Sequence, residues 1–315
     1  MDEFDFINNI KKKYSLGLVG DDCAVLPRDE WTDLLVTSDM LIEGIDFRLD
    51  WTTPRMLGYK ALAVSLSDIA AMGGTPSWAL LSIGVPQALW NTGFLDEFYE
   101  GWHELAGPHD VELAGGDVSR IPGGFVIDST VGGFVTKGKA IRRSGSSPGE
   151  AIHVSGTLGG AAAGLKQLYE GLRGSPDNLP SMMLRQLRPF PNVQLAKRLQ
   201  TEGLATAMID ISDGLSSDLV HICQASKTGA RVYADKIPFD ADLLDWAGSF
   251  EGALELAMHG GEDFELLFTA DPEKLFAAGL AGVTCIGEMT GNPGIIELIR
   301  NGEVRSLPAL GYRHF

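Results

Sequence analysis

The sequence predicts an α+β protein of two domains with mixed sheets, and three observations carry that expectation. The chain has 315 residues, a length of about two domains. Short apolar runs of strand length are mixed with longer helical ones. In the first half they do not alternate one to one, which favours mixed sheets over a doubly wound parallel sheet. A polar stretch, Arg142-Arg143-Ser144-Gly145-Ser146-Ser147-Pro148-Gly149, has the composition of a linker. The expected division is residues 1–140, a linker at 141–149, and residues 150–315.

In chain order, apolar runs of strand length predict strands at Leu34–Thr37, Ala79–Val85 and Val111–Leu113, and a pair around Phe125–Val135. Helices are expected at Pro54–Met72, where Pro54 suits a first turn, and at Leu95–Leu105. After the linker, Ala151–Val154 reads as a strand, Leu158–Tyr169 and Asn192–Thr201 as helices, and Ala205–Ile209 as a strand. A helix over Gly214–Gln224 and strands at Arg231–Ala234, Glu265–Thr269 and Thr284–Ile286 complete the set. Gly171–Ser181 reads as a mobile loop. No period of 20–50 residues recurs, which excludes solenoids and propellers.

Composition removes several function classes. Acidic side chains number 42 and basic ones 25, a formal charge of −17. Such a chain has no basic excess with which to displace counterions from a nucleic acid or to bind an anionic membrane. The three cysteines, Cys23, Cys223 and Cys285, are far apart, which fits a reducing compartment and no thiolate zinc site. The first thirteen residues hold no apolar signal core, and no apolar run approaches the roughly 20 residues of a membrane span. The expectation is a soluble, cytoplasmic protein. Glycine, at 39 residues, exceeds the usual share of about 7%, which points to tight turns and close backbone approaches.

Two motifs mislead. Gly133-Phe134-Val135-Thr136-Lys137-Gly138-Lys139-Ala140 is one residue short of a P-loop, but Ala140 lacks the hydroxyl that binds Mg²⁺ and no apolar helix follows. Ser155–Gly164 follows a strand and opens a helix, yet its glycines do not have dinucleotide spacing. Close packing through small residues is the expected reason. The six histidines show no zinc spacing.

The informative pattern is acidic: Gly20-Asp21-Asp22, Ser38-Asp39, Ser67-Asp68, Gly115-Gly116-Asp117, Asp210-Ile211-Ser212-Asp213 and Gly260-Gly261-Glu262-Asp263. Each alone fits an N-cap or a turn. Asp39, Asp117 and Asp210 are expected at strand ends, where a sheet gathers side chains. Asp68 falls in a strongly apolar helix with no local Lys or Arg, and a buried carboxylate needs a partner. Two carboxylates about 4 Å apart repel by roughly 4 kcal/mol at an effective dielectric of 20. If these acids converge, they need cations, and an all-oxygen set selects Mg²⁺, Mn²⁺ or Ca²⁺. Such a site attracts a polyphosphate through metal.

These residues also carry a resemblance. Gly20–Val25, Lys60–Gly73, Gly115–Asp117, Arg143–Gly145, Pro148-Gly149, Asp210–Leu215 and Gly260–Leu266 occur in that order. The set resembles the thiamine-monophosphate kinases of the aminoimidazole-ribonucleotide-synthetase-like superfamily, over almost the whole chain. The resemblance implies phosphorylation of thiamine monophosphate to thiamine diphosphate with ATP and several Mg²⁺ ions. It also implies a homodimer whose N-terminal domains share a barrel, with the ATP and metal cleft between the two domains. Carried over, the metal ligands are Asp22, Ser38, Asp39, Asp68, Asp117, Asp210 and Asp213, with Asp39, Asp68 and Asp117 at the reacting phosphates. Gly116, Asp117, Arg143 and Ser212 contact ATP, while Asp46, Glu262 and Tyr312 contact the thiamine part. Departures from the family are Asp46 where His is usual, Val118 for Thr, Ser65 for Asn, and Pro108-His109 near the position of an ATP-side tyrosine. Alternatives left open are a ligase-type cyclisation, selenophosphate-type synthesis, a dehydratase, and a non-catalytic Mg-ATP sensor.

Overall fold

The structure, a computed structural model, describes residues 3–174 and 178–312. The first half comprises α1 (Glu3–Tyr14), β1 (Ala24–Pro27), β2 (Thr32–Ile42), α2 (Pro54–Ala71), β3 (Thr75–Pro86), α3 (Phe94–Ala106), β4 (Glu112–Ile121) and β5 (Val126–Thr136). Its strands form one sheet in the order β1-β2-β5-β3-β4, antiparallel except for the parallel β3–β4 pair. The second half comprises β6 (Ala151–Ser155), α4 (Gly160–Tyr169), α5 (Ser181–Leu187), α6 (Val193–Thr201), β7 (Ala205–Asp210), α7 (Leu215–Ser226) and β8 (Gly229–Tyr233). It continues with α8 (Ala241–Ala247), α9 (Phe250–His259), β9 (Leu266–Ala270), α10 (Pro272–Ala278), β10 (Val283–Thr290), β11 (Ile296–Arg300) and β12 (Glu303–Ser306). These strands form a seven-stranded sheet, β12-β11-β8-β10-β6-β9-β7, with β8–β11 parallel. Both sheets are mixed, as the α+β reading expects.

Helix α2 organises the molecule. Thr53 caps it by accepting from the Met56 N–H, and Pro54 opens it. Fifteen of its eighteen residues are buried, so it has no solvent face and belongs in the middle of a core. It packs on β2, β5 and α3 of the first half and on α6 and β7 of the second. Two glycines permit the α2–α3 contact. A Cβ on Gly58 would lie 1.8 Å from the Phe98 carbonyl oxygen, and one on Gly101 would lie 1.7 Å from that of Arg55. A single apolar core therefore continues from Leu35, Leu62 and Ile127 of the first half to Leu199, Met208 and Phe268 of the second.

The structure corrects several expected elements. The pair of strands around Phe125–Val135 is one strand, β5, of 11 residues. Val111–Leu113 is only the start of β4, which runs through Gly115, Gly116 and Asp117 to Ile121. Asp39 likewise lies within β2 rather than at a strand end. Glycine and aspartate are poor strand formers, so the pattern stops at them, but cross-strand pairing carries the backbone through. The Gly171–Ser181 loop includes residues 175–177, which lie outside the described residues, and α5 begins at its last residue. The P-loop look-alike is the end of β5 and an irregular segment, with Lys137 paired to Asp33 at 3.0 Å.

Candidate active site

Four carboxylates come together where α2 meets both sheets. Asp22 leaves the loop before β1, Asp39 lies on β2, Asp68 on α2, and Asp210 ends β7. Asp22, Asp68 and Asp210 each present an oxygen, and these oxygens lie within 4.8 Å of one another. The Asp22 side chain is 1% exposed, and Asp210 is buried as well. Hydroxyls hold the individual acids: Thr37 donates to Asp68, Ser65 to Asp39 at 2.7 Å, and Ser67 to Asp210 at 2.6 Å. Ser65 and Ser67 thus aim the α2 surface at both sheets.

The electrostatics are unfavourable without added cations. Burial pushes the Asp68 carboxyl well above its ordinary range, and Asp39, Asp210 and Asp22 push it further. Burial, then Asp22, raises Asp210 to about 7, and Ser67 and Arg143 only partly offset this. Burial raises Asp39 to about 6, with Ser65 opposing and Asp128 adding. Burial also lifts Asp22, against Arg143. Cys23, buried beside them, is held a thiol by burial and by the same acids, so it is no nucleophile.

Among the described residues, one cation reaches this group. The Arg143 guanidinium donates to Asp22 Oδ1 through Nη2 at 2.5 Å and Nε at 3.2 Å. Burial works against its charge, but Asp22, Asp210 and Asp68 hold it firmly protonated. Beside it, Asp21 accepts from the Arg143 N–H at 3.0 Å and from Arg142 at 2.5 Å, which ties the 141–149 segment to the Gly20–Asp22 loop. The other oxygen of Asp22, Oδ2, is buried and has no hydrogen-bond partner among the described residues. A buried polar atom without a partner is costly, and two further carboxylates, Asp68 and Asp210, lie beside Asp22. An all-oxygen donor set with an unpartnered oxygen and too little positive charge fits Mg²⁺.

Arg143 also lines a cleft of about 570 Å³ between α1 and α7, together with Lys11, Gly20, Asp21, His221 and Tyr312. The Asp210–Leu215 turn extends the site. Asp213, Asp218 and His221 present ligand atoms within 4.8 Å of one another. Asp218 accepts from the N–H groups of Asp213 and Gly214, and burial raises its carboxyl. Ser212 is half-buried, and its carbonyl accepts from the Glu262 N–H at 2.8 Å. Tyr312 is tied down by its N–H, which donates to the Asp213 carbonyl at 3.0 Å. Burial, Asp46 and Glu262 all raise the Tyr312 phenol, which sets Asp46, Glu262 and Tyr312 in one neighbourhood. Asp46 itself accepts from the Ile42 N–H at 2.7 Å.

Three expected residues stand apart from the acid cluster. Ser38 is exposed and shares a hydrogen bond with Thr130 at 3.0 Å. Asp117 is exposed and accepts from Ser119 at 3.1 Å. Gly116 precedes it in a left-handed conformation (φ 152°), its Cα so close to β3 that a Cβ would lie 1.8 Å from the Leu81 carbonyl oxygen. The register Asp39↔Ser129, Ser129↔Leu81, Leu81↔Gly116 sets Gly116 three strands from Asp39, roughly 14 Å at about 4.8 Å per strand. Sequence reasoning assigned no role to Thr37, Ser67, Lys60 or Gln186, although Ser67 and Lys60 lie in its motifs. Lys60 and Gln186 both hold Glu262.

Comparison with known proteins agrees with this architecture. Residues 20–135 match the AIR synthase related protein N-terminal domain and residues 147–296 its C-terminal domain. The thiamine-monophosphate kinase of Escherichia coli (strain K12) is 40% identical over 99% of this chain and 95% of its own length. That of Bacillus subtilis (strain 168) is 36% identical over 87% of this chain and 85% of its own. The solved structure of AaThiL complexed with AMPPCP and TMP superposes with a TM-score of 0.88 at 32% identity. It covers 100% of this chain and 97% of that one. With both domains matched in order and the relatedness spanning nearly every residue, this chain belongs to the thiamine-monophosphate kinases of the AIR synthase related family.

Proposed function

We propose that this chain transfers the γ-phosphoryl group of ATP to thiamine monophosphate, giving thiamine diphosphate and ADP. The observation that carries the reading is the group of Asp22, Asp68 and Asp210, half-buried to buried and mutually within 4.8 Å beside one arginine. The relatives' shared activity, and the complex of one of them with an ATP analogue and TMP, support it.

The acceptor is a phosphate monoester whose second pKa is about 6, so it is already dianionic at pH 7. No general base is required. An acceptor oxygen forms a bond to Pγ, the bond from Pγ to the β,γ-bridging oxygen breaks, and ADP leaves with that electron pair. What must be overcome is repulsion between two phosphates and the loss of orientation. Asp22, Asp39, Asp68 and Asp210 would hold Mg²⁺, with Asp213 holding a further ion at the α7 end. Bound there, Mg²⁺ supplies the positive charge that lets two phosphates approach. Arg143 offers a planar donor fork to a nucleotide phosphate; the cleft it lines has room for the nucleotide, with Ser212 near the phosphates. Glu262 and Asp46 meet the cationic thiamine moiety, and Tyr312 packs against its rings.

The same reading makes residues 1–140 the metal- and nucleotide-binding half, with 141–149 connecting it to 150–315. It includes a homodimer in the cytoplasm. Among the described residues β4 is an edge strand, paired on one side only and exposed along most of its length, and an open edge invites pairing. A second copy closing a shared barrel there would cover it. Asp117, Gly116 and Ser38 join the site only if such a copy presents them, which ties their roles to the dimer. No helix among the described residues is long and apolar enough to cross a membrane.

The test is direct: incubate the protein with Mg-ATP and thiamine monophosphate and quantify products. Thiamine diphosphate and ADP in equal amounts support the reading. ADP without thiamine diphosphate points to another ATP-using reaction, and nucleotide binding without turnover points to a sensor.

A further inference from the structure

Lys60 is 3% exposed in the middle of α2, and nothing in the proposed chemistry uses it. Its ammonium lies 2.8 Å from Glu262 Oε1 and donates to the Gln186 carbonyl at 3.1 Å. The Gln186 side-chain amide donates to the other oxygen, Oε2. Both oxygens of Glu262 are therefore gripped, one from α2 and one from α5. The Glu262 backbone is held too, in a left-handed conformation (φ 64°) with its N–H on the Ser212 carbonyl. Its side chain nevertheless remains 28% exposed.

A structural role alone explains this poorly. Burying an ammonium is costly, and apolar residues commonly replace buried ion pairs without loss of stability. A lysine taken out of water to reach a carboxylate that stays partly in water gains little for the fold. It does fix the rotamer of that carboxylate. Helix α2 also carries Asp68 eight residues further on, about 12 Å along its axis, so one rigid element sets both the acid cluster and Glu262.

We propose that Lys60 is a positioning residue for the acceptor: it fixes Glu262 in the one orientation that meets the thiamine moiety. This rests on the reading of Glu262 as an acceptor contact. Removing Lys60 leaves a more negative site, but the added attraction to a cationic ring is screened by water at a partly exposed carboxylate. Loss of preorganisation dominates.

The experiment compares wild type, Lys60→Met, Glu262→Gln and the double variant by steady-state kinetics, with melting temperature as a check on folding. Lys60→Met is expected to raise the KM for thiamine monophosphate about tenfold while leaving the KM for ATP within about twofold. Because Lys60 acts through Glu262, the double variant should lose no more than about twofold beyond Glu262→Gln alone. A folded Lys60→Met enzyme with an unchanged acceptor KM overturns the proposal, as do multiplicative losses in the double variant or an unchanged Glu262→Gln. If Lys60→Met does not fold, Lys60→Gln is read by the same criteria. A wild-type protein that forms no thiamine diphosphate overturns the proposed function and this inference together, whereas an active wild type with an indifferent Lys60→Met overturns this inference alone.

Discussion

Two groups of buried and half-buried carboxylates in this molecule differ in what surrounds them. Asp263, its side chain fully buried, accepts from the N–H groups of Gly159 and Ala161 at the start of α4 and has Arg185 at 3.6 Å. Its neighbour Glu265 accepts from Ser155, from Asn192 at 2.8 Å and from Arg185 at 3.3 Å. Burial still raises Asp263 to about 6, but Arg185 and the two N–H groups work against it. Every oxygen there has a protein partner. In the Asp22, Asp39, Asp68 and Asp210 group the like charges add to burial, and among the described residues Arg143 is the one cation acting on them and Asp22 Oδ2 has no partner. The first group is finished as protein and holds α4 to β9. The second is incomplete as protein, and that incompleteness marks a ligand site where a count of acids would not.

The largest expected difference between the groups is in turnover. Asp68→Ala should lower kcat by about a thousandfold or more, the scale of losing a metal that offsets phosphate charge, while folding persists. Measured turnover close to wild type at low Mg²⁺ would remove Asp68 from the site. Asp263→Ala should do the opposite. It strands two buried N–H groups, at about 1–3 kcal/mol each, and should lower the melting temperature by about 5 °C or more, with the Mg²⁺ dependence of turnover unchanged. Thermal denaturation with and without Mg²⁺ separates the two variants.

A pH series sharpens the contrast. Asp39 and Asp210, raised to about 6 and about 7 from 3.8, bind protons more tightly folded than unfolded. In metal-free protein their stabilising contribution is present below about pH 4 and is lost as pH rises towards 7. The EDTA-treated protein should therefore melt on the order of 5 °C lower at about pH 8 than at about pH 5, and millimolar Mg²⁺ should flatten the slope. Asp210→Asn should flatten it without metal; a slope unaltered by both would mean these acids are not the cause. The smallest effect is at the cation. Arg143→Lys keeps the charge but loses the planar fork, so the KM for ATP should rise about tenfold, or about 1.4 kcal/mol. An unchanged KM would leave Arg143 as a partner of Asp22 only.

Much of the fold was legible in the chain because its long elements obey simple periodicities. The helix from Pro54 is bounded by a cap and a glycine, and β6, β7 and β9 are short apolar runs between polar segments. Where the reading failed, local preference and tertiary pairing disagreed: β2 and β4 run straight through Asp39 and Asp117. β11 and β12 carry too much charge to read as strands.

The sequence by itself determined the presence of an unusual number of acids beside glycine and serine, the shortage of cations to balance them, and the ordered motifs of a known family. These are properties of composition and spacing, visible without coordinates. Which acids converge was decided only by the tertiary structure. The all-round burial of α2 between two sheets brings Asp22, Asp68 and Asp210 to within 4.8 Å; the sheet order leaves Asp117 on an edge; and Lys60 meets Glu262 across some 200 residues of chain because both line the same packed junction. Long-range contacts of this kind depend on how helices and sheets stack, which no local pattern encodes.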